Sequence, residues 1–139
     1  MIIIEIKVSI MDKKTYYKFL FLIVGIWNIF GGILFFILSY TTPSVFALSG
    51  TITPPTLIFY HVMSAMISIY GIGYLMISRD IEKNTAVVII GGLSKLMFFL
   101  ATLIYMIIRE INATMLLIGL TDLFLVILFA EFLMNKKKL

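Results

Sequence analysis

Residues 85–134 read TAVVIIGGLSKLMFFLATLIYMIIREINATMLLIGLTDLFLVILFAEFLM, and this stretch decides the fold. It holds two apolar runs, 85–108 and 113–134, joined by a short polar turn with Arg109, Glu110 and Asn112. About 20 consecutive apolar residues suffice for a helix to cross a bilayer. Each run reaches that length. Lys95 is the one charge of the first run. Asp122 sits at the centre of the second, and Glu131 lies near its end.

Working outward, the same pattern repeats. A charged hairpin, Ser78 to Asn84, precedes the third run, and an apolar span from about 56 to 77 precedes the hairpin. Residues 40–55 form a connection without charge that contains Pro43, Pro54 and Pro55. Before it lies another span, about 17–39. That span is too long for a signal-peptide core and lacks a small-residue cleavage pattern after it, so it reads as a retained helix. The expectation is an all-α integral membrane protein: one membrane domain over 1–139, folded as an antiparallel four-transmembrane-helix bundle. In residues 1–10, apolar Ile4, Ile6, Val8 and Ile10 alternate with polar positions, as in a strand. Met11 offers a second start, so no functional argument is placed on that lead.

Composition agrees. Hydrophobic residues are 62% of the 139 and charged residues 13%, whereas about a quarter of a soluble domain is charged. Little polar sequence remains for a soluble catalytic domain. The chain has no cysteine, which excludes disulfides and iron–sulfur ligation. Its single histidine excludes a bis-histidine haem or a multi-histidine metal centre within one chain. No cofactor or metal is expected. No nucleophile–base pair or phosphate loop is found, so an enzyme is not expected.

The net charge is +4, and the basic residues other than Lys95 sit at span borders. Lys7, Lys13, Lys14 and Lys18, then Arg79 and Lys83, then Lys136, Lys137 and Lys138 fall on one side if the helices alternate. Only Arg109 falls on the other. The positive-inside rule then places both termini in the cytoplasm, and it argues against a nucleic-acid partner. Tyr16, Tyr17, Tyr40 and Tyr60 fall near the expected interfaces. Asn112-Ala113-Thr114 matches a glycosylation acceptor but lies too close to the bilayer to serve as one.

Depth supplies the candidate site. Span one is centred near Asn28, span three near Lys95 and span four near Asp122. Span two is centred between Ser64 and Ser68, with His61 a turn nearer the outer face. An ionisable group at the bilayer centre costs roughly 3 kcal/mol on insertion scales, so it turns inward and finds a partner. The spacing predicts a Lys95–Asp122 ion pair, with Asn28, Ser64 and Ser68 supplying further hydrogen bonds. His61 is a candidate pH-sensitive group. Gly25, Gly32, Gly71, Gly91, Gly92 and Gly119 share faces with these residues, and small residues let helices approach closely in lipid. Glu131 is out of phase with Asp122 and reads as a residue reaching toward headgroups or Lys136.

Trp27-Asn28 with Gly31-Gly32, Tyr70-Gly71-Ile72-Gly73-Tyr74 leading to Arg79-Asp80, and Gly91-Gly92 with Lys95 resemble an uncharacterised group of small bacterial four-helix membrane proteins. The resemblance implies a location in the cell (inner) membrane and carries no activity to transfer. Better-known four-span families fit less well. Small multidrug transporters carry a glutamate in the first span, where this chain has Asn28. Disulfide-forming quinone enzymes need cysteines. Three functions stay open: an oligomeric transporter or channel subunit with the polar layer as its site; an accessory or assembly protein in which the Lys95–Asp122 layer is structural; and a lipid or quinone binder. The expected partners are the lipid bilayer and either further copies of this chain or another membrane protein.

Overall fold

A computed structural model describes residues 12–46 and 54–136. The fold is all-α. Helix α1 spans Lys13–Thr41, α2 Pro54–Arg79, α3 Thr85–Ile107 and α4 Ala113–Asn135. A single 3-10 turn, Pro43–Val45, follows α1. All four helices are long and apolar enough to cross a membrane. At 1.5 Å per residue the two 23-residue helices, α3 and α4, are each about 34 Å long. The lead before Met11, the middle of the α1–α2 connection and the last three residues lie outside the described residues.

The helix ends follow from local chemistry. Helix α1 outruns the expected 17–39 at both ends because nothing in residues 13–16 or 40–41 opposes a helix. It stops at Thr42, where Pro43 forces the preceding residue out of the helical region (φ −146°). Helix α2 starts on Pro54 and Pro55, two positions earlier than expected, since proline in the first turn loses no intrahelical bond. Helix α3 ends in a Schellman arrangement. Glu110 N–H donates to Tyr105 C=O at 2.9 Å and Arg109 N–H to Met106 C=O at 3.1 Å. Arg109 takes the left-handed conformation this needs, at φ 62°. Asn112 caps α4 by accepting from Met115 N–H at 3.3 Å, while its Nδ2 donates to Ser44 C=O at 2.7 Å.

Helix α1 packs chiefly on α2, and α3 on α4. Glycine makes the first seam. A Cβ on Gly71 would lie 2.7 Å from the Gly25 carbonyl oxygen, and one on Gly32 would lie 2.6 Å from that of Ser64. In the second seam Gly119 faces Thr102 and Phe99.

Two apolar clusters join the pairs. At one end Phe21 stacks edge-on with Phe132 at 4.9 Å, beside buried Tyr17, Tyr74 and Phe129. At the other, Phe35 and Phe46 meet at 5.1 Å beside Met115. The distribution is inverted relative to a water-soluble protein. Lys95, Asn28, Ser64 and Thr102 are buried, while Phe59, Ile69, Phe124 and many other large apolar side chains are exposed.

Candidate functional site

Lys95 lies inside the bundle, 6% exposed. Its Nζ is 2.5 Å from Asp122 Oδ1 and 3.3 Å from Asn28 Oδ1. Helix α3 therefore presents its one charge to α4 and to α1 at once. Asn28 is held in the matching orientation. Its Nδ2 donates to the Val24 carbonyl at 2.8 Å, one turn back in α1. A carbonyl only accepts and a lysine only donates, so both neighbours require the amide to point this way. The ion pair satisfies a physical requirement: a charge removed from water needs a counter-charge and hydrogen bonds.

Ser64 and Ser68 do not join this layer, contrary to the sequence expectation. Ser64 Oγ donates to the Tyr60 carbonyl at 2.7 Å and Ser68 Oγ to the Ser64 carbonyl at 3.0 Å, both within α2. Serine in a helix readily bonds the carbonyl one turn back. Their face packs on Gly32 of α1. His61 also stands apart. Its ring packs against Phe36 and Tyr40, with centroids 4.5 and 4.9 Å away. Its Nε2 is buried without a hydrogen-bond partner among the described residues.

The glycines divide. Gly25, Gly32 and Gly71 let backbones touch, Gly119 admits Thr102, and Gly91 lies under the Tyr74 hydroxyl. Gly92 is different: a Cβ there would make only an ordinary 3.7 Å contact with Phe129, so it is not a close-packing position. Gly73, not counted among the packing glycines from the sequence, has Val87 of α3 at 2.8 Å from such a Cβ.

One further residue, Glu131, corrects the sequence reading, and its partner is Tyr17. Tyr17 stands near the start of α1, as expected of an interface tyrosine, and its side chain is 1% exposed. Its hydroxyl donates to Glu131 Oε1 at 2.9 Å and accepts from Asn135 Nδ2 at 3.2 Å. Glu131 therefore turns inward instead of reaching for headgroups. Lys136 instead bonds Thr85, closing α4 onto the start of α3.

A cavity of about 650 Å³ lies between the two helix pairs, with Lys95, Asp122 and Asn28 in its wall. The rest of its lining is mostly apolar, including Trp27, Phe98 and Leu117. Asp122 is the most open of the three polar groups, its side chain 18% exposed. Among the described lining residues, Lys95 and Asp122 are the only acid and base. The sequence gives no direct sign of this cavity, because it depends on how far apart the two helix pairs stand. Chemically, the wall offers hydrogen bonds from a charge-balanced pair inside an apolar chamber.

Compared with protein-family models, with curated proteins and with solved structures, the chain matches none.

Proposed function

We propose that this chain is a multi-pass membrane protein, one antiparallel four-helix domain, that binds a small membrane-soluble molecule at Lys95, Asp122 and Asn28. The carrying observation is the cavity that has all three in an otherwise mostly apolar wall. Ligand pockets are typically concave and mostly apolar, with a few converging polar groups, and run to roughly 300–1,000 Å³. Membrane insertion is supported by the four apolar helices and by the exposed apolar faces. Antiparallel packing is supported by the contacts at the ends. The start of α1 meets the end of α4 through Tyr17 and Glu131, and Lys14 meets Glu82 just past α2 at 2.5 Å. The basic borders support a cytoplasmic side for both termini, in the cell membrane.

The test is native mass spectrometry after extraction in mild detergent. Wild-type protein is expected to carry a small-molecule adduct that the Lys95→Met/Asp122→Leu double variant loses. An adduct-free wild type, or equal adducts in both, counts against the proposal.

A further inference from the structure

We infer that the molecule taken by this cavity is electrically neutral and carries a carbonyl head on an apolar body, as a quinone or a long-chain ketone does. The inference rests on the binding reading above.

Charge comes first. Lys95 and Asp122 cancel each other, and no other acid or base lines the cavity among the described residues. A charged head would leave one uncompensated charge at this depth, and such a charge is costly in an apolar medium. A neutral head leaves the balance intact.

Hydrogen bonding comes second. A lysine ammonium has three donors, and two of those of Lys95 are used by Asp122 and Asn28. One is left. Tyr74 supplies another. It lines the cavity, and its buried hydroxyl has no partner among the described residues. That hydroxyl rests against Gly91, one helical turn before Lys95 on the same face of α3. Two unused donors in the lining of one cavity call for an acceptor without a proton of its own. A carbonyl oxygen is that acceptor, and buried polar groups in proteins are nearly always paired.

Shape comes third. Trp27, Phe98, Met66 and Leu117 offer apolar surface suited to rings or a chain. A chamber of about 650 Å³ has room for a head and part of a tail, and its partial opening lets the tail leave.

Trp27 is the sole tryptophan of the chain and lines the cavity, so it reports occupancy. The experiment titrates decylubiquinone, which quenches indole fluorescence, into protein held in phosphatidylcholine nanodiscs. A saturable quenching component is expected above the linear collisional background. 2-Undecanone, neutral and non-quenching, should displace it, whereas decanoate and decyltrimethylammonium at equal membrane concentration should not. Tyr74→Phe should weaken binding about fivefold, the usual scale for one lost hydrogen bond. The Lys95→Met/Asp122→Leu double variant should weaken it further.

Displacement by decanoate or decyltrimethylammonium ahead of the ketone overturns the neutral-carbonyl assignment and leaves the binding site standing. A purely linear response to the quinone, with no displacement by any probe, overturns the binding reading as well. Unchanged affinity in both variants overturns the assignment of Lys95 and Tyr74 as the donors.

Discussion

At the scale of single residues, the strongest constraint falls on Lys95 and Asp122. Each is tolerable inside the bundle because the other is there, 2.5 Å away. Lys95→Met alone strands a carboxylate, and Asp122→Leu alone strands an ammonium. Either single change is expected to cost about 3 kcal/mol or more, and the double change less than either. Thermal melting in detergent reads this ordering, and a double variant as unstable as the worse single one would refute the coupling. The pair was legible in the sequence because depth along an apolar span can be counted, and Asn28, Lys95 and Asp122 fall at one depth. The serines misled because depth says nothing of bonding preference. A serine hydroxyl is short, and a carbonyl of its own helix is always within reach. Glu131 misled for a related reason: it looked like a residue reaching for headgroups or Lys136, but in the folded chain its partner is Tyr17.

At the scale of helices and their joints, neighbouring glycines give a sharp contrast. Gly32 sits on a backbone oxygen of α2, whereas a Cβ on Gly31 would meet nothing within 4 Å. Gly32→Ala is expected to destabilise by roughly 1–3 kcal/mol through overpacking, while Gly31→Ala is neutral or slightly favourable. Comparing their unfolding in one detergent checks this without any functional assay. The α2–α3 joint adds a pH dependence. The Lys83 ammonium holds the Asp80 carboxyl below its ordinary range, and the Lys14 ammonium does the same for Glu82. A carboxyl whose pKa is depressed by folding stabilises the fold above its unfolded value and loses that contribution as pH falls through the folded value. Amide exchange at residues 80–84 should therefore lose protection below the ordinary carboxylate range. Salt should have the same effect at neutral pH, because these groups are exposed and screened. If protection there is the same at pH 7 and pH 3, the joint is not held by these charges. The spacing of apolar residues announced the four helices. It did not announce which helices pair most closely, since a glycine on a face marks a seam without naming the helix across it.

At the scale of the whole molecule, the topology proposal can be checked directly because the chain contains no cysteine. Lys83→Cys and Glu110→Cys place single thiols in the two charged connections at opposite ends of α3. With both termini cytoplasmic, an impermeant maleimide added outside intact cells should label the Glu110→Cys variant and leave the Lys83→Cys variant untouched until the cells are opened. Labelling of both from outside, or the reverse pattern, would overturn the orientation. Neither variant touches the polar layer, so a misfolded site does not confuse the result.

The location of both charges of the midplane pair on α3 and α4 also bears on how such a chain would be made. The ammonium and the carboxylate belong to successive segments joined by a turn of a few residues, so they can neutralise each other before the first two segments are engaged. The second half can thus leave the translocon with its midplane charges already neutralised, and the amide of Asn28 and the Tyr17 hydroxyl that meets Glu131 are added when the halves meet.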